Sequence, residues 1–206
     1  MIRFIFILFL VSTFNAFSQI DSAKYLDESI RFVASENEHY SNKKTSPLNK
    51  KARKAFTGHR FYEVDLEYVV KAQFARITSG DTVVMKTSAD TEKKYVKYAQ
   101  LHFNIKNNHC HLLVYQSLTM REMDEYKNYL FIPFKDLTSG KETYGGGRYI
   151  DITIPEGDEI MLNFNTAYNP YCAYADGYFC PIPPAENTLN IEIKAGAMIP
   201  WEQEEH

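Results

Sequence analysis

Through most of the chain apolar and polar residues alternate with period two. Tyr68, Val70, Ala72 and Phe74 alternate with Val69, Lys71 and Gln73, and Leu101, Phe103 and Ile105 share one face against His102, Asn104 and Lys106. Ile150, Ile152 and Ile154 do the same against Asp151 and Thr153. Successive side chains of a strand point to opposite sides, so this pattern predicts half-buried β-strands. Turn signals punctuate the runs: Ser79-Gly80-Asp81 before Thr82 to Met85, Asn107-Asn108 before Leu112 to Tyr115, and Glu156-Gly157-Asp158 before Ile160, Leu162 and Phe164. The last two read as hairpins, and the Ile150 to Phe164 hairpin is the clearest in the chain. Leu189, Ile191 and Ile193 predict a final strand ahead of Gly196.

Helical spacing occurs near the start, where Leu26, Ile30 and Val33 recur between Asp21 and Tyr40. They predict one amphipathic helix, with Asp21 or Ser22 as its cap. Ser41 to Lys54 reads as a polar connector, because Ser46-Pro47 disfavours a continuous helix. Met120 to Tyr126 is a candidate second helix. Many short strands with one or two helices predict a mainly β fold, a sandwich or barrel.

The first residues follow a different rule. Phe4 to Val11 is wholly apolar and Ala16-Phe17-Ser18 offers small residues after it. A spanning helix needs about 20 apolar residues, whereas this run has the length of a signal-peptide core. Residues 1–18 are therefore expected to be a cleaved signal, placing the mature protein in the periplasm or outside the cell without stable membrane insertion. Residues 19–55 follow as helix and connector, 56–200 as the β-rich core, and 201–206 as a tail. Removing 18 of 206 residues leaves 188, enough for one domain with a core.

Composition narrows the partners. The formal net charge is -3, and the sole basic cluster, Lys43-Lys44 with Lys50-Lys51-Arg53-Lys54, lies in the polar connector and reads as a solvated loop. A nucleic-acid partner is not expected, since that needs clustered Lys and Arg on a folded face.

Candidate chemistry gathers in two irregular segments. Gly140 to Tyr149 contains Gly145-Gly146-Gly147 but lacks the strand-loop-helix context and Lys-Ser/Thr ending of a phosphate loop. A bulge leading into a strand and an anion cradle are the two readings. Arg148 lies at the entrance of that strand and Asp151 on its face opposite the isoleucines, and the two could pair. Asn163 to Asn187 is crowded with Tyr, Asn and Pro, and Pro170, Pro181, Pro183 and Pro184 stiffen it. The polar and aromatic side chains of the two segments are the candidate ligand contacts: Tyr144, Arg148, Asp151, Asn165, Tyr168, Asn169, Glu186 and Asn187.

Export makes cysteine pairing relevant. Cys172 and Cys180 would close a nine-residue loop as a disulfide. A metal site would require further ligands such as His102, His109 or His111, and a redox-active pair would lack CxxC spacing. Cys110 reads as a buried thiol. No cofactor and no metal is predicted.

The succession Leu130 to Asp136, Thr138-Ser139-Gly140, Thr143 to Tyr149, Asn163-Phe164-Asn165, Ala167 to Pro170, Cys172-Ala173, Cys180-Pro181 and Pro184 to Asn187 resembles the bacterial family called domain of unknown function 1684. Ser46-Pro47-Leu48, Phe56-Thr57-Gly58 and Asp65 look like its upstream half, so the resemblance covers about Tyr25 to Gly196. It implies an immunoglobulin-like β-sandwich and brings no established activity, substrate or cofactor. Thr166 stands where many relatives carry a basic residue, so no anion-binding role is implied there. The leading expectation is a β-sandwich that binds a small ligand, a glycan being one candidate, between the glycine segment and the Tyr-Asn-Pro-Cys segment. The rivals are a hydrolase using Glu186 or Asp151 with Arg148 and Tyr168, and a partner-binding module.

Overall fold

In this computed structural model the described residues are 21–200, so the expected signal over 1–18 and the tail over 201–206 lie outside them. Helix α1 (Ser22–Ser41) begins where the Lys24 amide donates to the Asp21 carboxylate at 3.1 Å. That bond satisfies one of the donors every helix start leaves open. A second helix, α2 (Lys50–Ala55), capped by Asn49, occupies part of the stretch read as a connector. Met120 to Tyr126 forms a single tight turn over Met120–Glu122 instead of a helix.

Seven strands follow: β1 (Val69–Arg76), β2 (Thr82–Lys86), β3 (Glu92–Ile105), β4 (Asn108–Ser117), β5 (Tyr129–Phe134), β6 (Arg148–Thr153) and β7 (Glu159–Asn163). They make one antiparallel sheet in the order β6-β5-β4-β3-β1-β7, with β2 paired to β3. The fold is therefore mainly β, built as one continuous curled sheet in place of two facing ones.

Connectivity requires the curl. Strands β6 and β7 end the six-strand path, yet residues 154–158 alone join them. Laid flat, six strands would separate their edges by about 24 Å, whereas the connection reaches at most about 21 Å. The edges must bend toward one another, and the result is a half-barrel.

This corrects the most prominent hairpin expectation. Ile150 pairs with Ile132 of β5, and Ile160 pairs with Ala72 of β1, so Glu156-Gly157-Asp158 carries the chain from one sheet edge to the other. The β3–β4 pair is a true hairpin, with Ile105 opposite Asn108 and with Lys106 and Asn107 at φ 47° and 66°. Two consecutive left-handed residues are what a tight type I′ turn requires.

Both faces of the sheet are covered. On one, Leu101, Leu112, Leu130, Ile132, Ile150 and Leu162 pack with Phe164, Leu189 and Ile193. On the other, Tyr95, Leu113, Tyr115, Phe131 and Tyr149 form a second, aromatic cluster. Helix α1 lies against this second side through a face other than the expected one. Leu26 and Ile30 are 42% and 55% exposed, whereas Ser29 is fully buried, donating to the Tyr25 carbonyl and accepting from Asn163 Nδ2 at 3.0 Å. Phe32 packs on Tyr168, and Tyr40 on His59 and Tyr174. The surface beneath the helix offers an amide and aromatic rings, so it selects the helix face carrying a hydroxyl and rings.

Candidate functional site

Strand β6 begins with Arg148, which is 0% exposed. Its guanidinium donates to the carbonyls of Ile193 (2.9 Å), Ala195 and Ala197 (3.2 Å), and lies 3.4 Å from the Asp136 carboxylate. Asp136 also accepts the Ile193 amide at 2.6 Å and the Thr138 hydroxyl at 2.8 Å. This arrangement helps explain why Leu189 to Ile193 is not the strand expected there. The segment bonds Lys135 and Leu137 past the end of β5, and further carbonyls are capped by a side chain in place of a ladder. Burial lowers the Arg148 pKa while Asp136 works against that shift. The expected Arg148–Asp151 pair is corrected for a simple reason. An offset of three residues puts the two side chains on opposite faces of a strand.

Four other candidates are engaged within the fold. Asn165 is buried and spans the Asp65 backbone, accepting its amide at 3.0 Å and donating to its carbonyl at 2.9 Å. Asn187 is fully buried, accepting from the Leu113 amide and donating to the carbonyls of Leu113 and Pro133, each at 2.8 Å. Buried Asn169 donates to Met198 O at 2.8 Å and to the Tyr174 hydroxyl at 3.0 Å. Exposed Glu186 pairs with Lys97 at 2.8 Å.

The glycine segment is a tight turn. Tyr144 lays its ring so close over Gly146 that an added Cβ would come within 2.2 Å of it. Gly147 has φ 91° and abuts the Phe134 carbonyl and the Pro183 ring, each 2.7 Å from an ideal Cβ. These positions need glycine for close approach, in a turn that leads into β6.

The two segments meet where β6 leaves that turn. The amide of Tyr149 donates to Tyr168 O and the amide of Tyr168 to Tyr149 O, both at 2.9 Å, and the Tyr149 hydroxyl donates to Pro181 O. Beside this junction a cavity of about 590 Å³ opens on the aromatic side of the sheet. Period two places Tyr95 of β3, Tyr129 and Phe131 of β5, and Tyr149 and Asp151 of β6 along its floor. Loop residues Tyr168, Tyr171, Tyr178 and Phe179 wall it. Helix α1 adds Phe32 and Glu36, which share a helix face because they are four residues apart. Lys93 is the one basic residue that lines it among the described residues.

Asp151 is braced by two hydroxyls. Tyr129 donates to one of its oxygens at 2.7 Å and Tyr168 to the other at 2.9 Å. It is accessible from this cavity and from a second groove beside Glu28 and Ile160, yet protein surrounds it closely enough for desolvation to dominate. Burial raises its pKa, and the two tyrosine bonds oppose the rise. Glu36 has its pKa pushed up to about 7 by burial first and by the charge of Asp151 second. Among the described residues no ion pair or side-chain hydrogen bond engages its carboxyl.

Other clusters contribute less. Cys172 and Cys180 form a disulfide that closes the loop on which Tyr178 and Phe179 sit, and Cys180 lines the cavity. Buried Cys110 is free, and burial raises its pKa. His102, His109 and His111 neighbour one another across β3 and β4, but among the described residues no group of three or more His, Cys, Asp or Glu is placed to hold a metal. A smaller cavity of about 260 Å³ lies between α2 and Tyr174. Burial holds its His59 down at a pKa of about 4, so the ring is neutral near pH 7.

Sequence reasoning thus reached Asp151 and Tyr168 and missed Phe32, Glu36, Tyr129 and Tyr95. The signal for the first two was present: Phe32, Glu36 and Tyr40 repeat at intervals of four on the predicted helix. The more apolar Leu26-Ile30 stripe masked it.

A family model described as "Protein of unknown function (DUF1684)" matches residues 54–198. Among solved structures, the chain is similar to the "uncharacterized protein from gene locus rrnAC0354 of Haloarcula marismortui", with 29% identity, a TM-score of 0.69, and coverage of 89% of this chain and 98% of that one. No curated protein matches. The family match includes Asp151, Tyr129 and Tyr168 and begins after α1, which carries Glu36.

Proposed function

We propose that this chain, which belongs to the family described as "Protein of unknown function (DUF1684)", binds a small organic molecule in the aromatic cavity beside β6. One observation carries the reading: Asp151, held by the hydroxyls of Tyr129 and Tyr168, faces a cavity of about 590 Å³ floored and walled by aromatic rings. Ligand sites are commonly concave, apolar and aromatic, with a few fixed polar groups that set orientation. Here the fixed group is a carboxylate and the walls fit a ring-shaped body, a sugar being one example of such a shape. The reading includes export, supported by the apolar run Phe4 to Val11 and by the Cys172–Cys180 disulfide.

The test is a two-dimensional amide NMR screen of sugars, amines and aromatic metabolites. Binding predicts shifts concentrated at Phe32, Glu36, Tyr149, Asp151 and Tyr168. Shifts scattered over the surface, or none with any compound, would remove the reading.

A hydrolase reading draws on a different pair from the one the sequence offered. Arg148 is enclosed and Glu186 is tied to Lys97, whereas Glu36, pushed up to about 7, lines the same cavity as Asp151. A protonated acid beside a carboxylate is the arrangement acid-base hydrolysis uses. Turnover of nitrophenyl glycosides and esters that disappears in both Glu36→Gln and Asp151→Asn would support it, and unchanged background rates would dismiss it.

A further inference from the structure

We infer that the ligand of the aromatic cavity carries a protonated amine, held between Glu36 and Asp151 with its carbon body against the rings. This rests on the reading of the cavity as a binding site and narrows the class of compound.

Among the described residues, the charged groups lining the cavity are two acids, Glu36 and Asp151, and one base, Lys93. Acidic groups therefore outnumber basic ones along this lining. Lys93 makes no ion pair with either acid among the described residues. Each Asp151 oxygen accepts one tyrosine hydroxyl, and a carboxylate oxygen has capacity for a second donor. Among the described residues no side-chain hydrogen bond or ion pair occupies the Glu36 carboxyl. The carboxylates lie close enough for Asp151 to oppose ionisation of Glu36.

Three ligand classes meet this arrangement differently. An anion is repelled by the acids. A neutral polyol can donate hydroxyls but leaves the repulsion between the carboxylates in place. An ammonium supplies three donors and a positive charge, relieving that repulsion while its bonds to carboxylates gain from charge assistance. The cavity lining is also rich in aromatic rings, whose faces favour cations.

Isothermal titration with two matched pairs tests the inference: benzylamine against benzyl alcohol, and glucosamine against glucose. The amine member of at least one pair is expected to bind about tenfold or more tightly than its neutral counterpart, given the usual worth of hydrogen bonds to charged groups. Glu36→Gln and Asp151→Asn, each shown folded by circular dichroism, should shrink that preference to about twofold or less. Glu186→Gln, outside the cavity, should leave it unchanged. Neutral members that bind as well as the amines would overturn the amine assignment and leave the binding reading standing. Failure of all four probes would overturn the assignment, and with no cavity shifts in the wider NMR screen the binding reading falls as well.

Discussion

Arg148 and Asp151 stand three residues apart on β6, face opposite sides of one sheet, and meet charge in opposite ways. On Arg148's side the terminal nitrogens are answered: Asp136 supplies the counter-ion, and three carbonyls of the 193–197 segment take further donors. On Asp151's side a second acid, Glu36, lines the same cavity, and burial opposes the ionisation of both. The first arrangement fixes the path of the C-terminal segment. The second leaves two carboxyls without a cationic partner among the described residues. An ionisable residue in an irregular segment is thus poor evidence for a site until its surroundings show whether its charge is answered.

The contrast can be broken from the satisfied side first. Removing one member of a buried pair leaves the other unpaired, which costs about 3–5 kcal/mol. Arg148→Met should therefore show the largest loss in urea unfolding and release the 189–197 segment to rapid amide exchange. Asn187→Ala should come next. It strands the Leu113 amide and two carbonyls, at a cost of about 2–4 kcal/mol. Opening the cavity-side loop by replacing Cys172 and Cys180 with serine should cost roughly 2–3 kcal/mol by the loop-closure argument for nine residues, with exchange rising chiefly at 171–181.

The smallest effect has the opposite sign. Glu36 is pushed up to about 7 in the fold against an ordinary 4.5, so the native state binds more protons than the unfolded one between those values. The favourable contribution is fully present below pH 4.5 and is lost as pH rises through 7. Glu36→Gln should accordingly stabilise the protein at pH 8 by about 1–3 kcal/mol, after discounting for the partial exposure of the side chain. At pH 4.5 it should have little effect. A thermal melting series across that range reads both ends, and a loss of stability at pH 8 would show that the Glu36 carboxylate is answered after all.

How far such features were legible in the sequence depends on whether their cause is local. The β3–β4 hairpin was readable because its turn is local, although the Asn107-Asn108 signal fell one residue late: Lys106 and Asn107 adopt the left-handed backbone and Asn108 already pairs with Ile105. Alternation of Ile150, Ile152 and Ile154 correctly marked a strand and put Asp151 on the face away from the core, but alternation does not name a strand's neighbour. Glu156-Gly157-Asp158 looks like a hairpin turn and in fact crosses between sheet edges, a consequence of closure that no short window contains. The same limit hid Arg148. Its partners, Asp136 and the carbonyls of Ile193 to Ala197, come from distant parts of the chain. Glu36 was obscured for a further reason: tertiary packing chose the Ser29-Phe32-Tyr40 side of α1 over the more apolar Leu26-Ile30 side.

The unanswered charge on the cavity side is open to direct measurement by carbon-detected NMR titration of the Glu36 carboxyl in the wild type and in Asp151→Asn. A wild-type midpoint near 7 that moves down when the neighbouring charge is removed is the predicted result. A midpoint near 4.5, indifferent to Asp151, would contradict it.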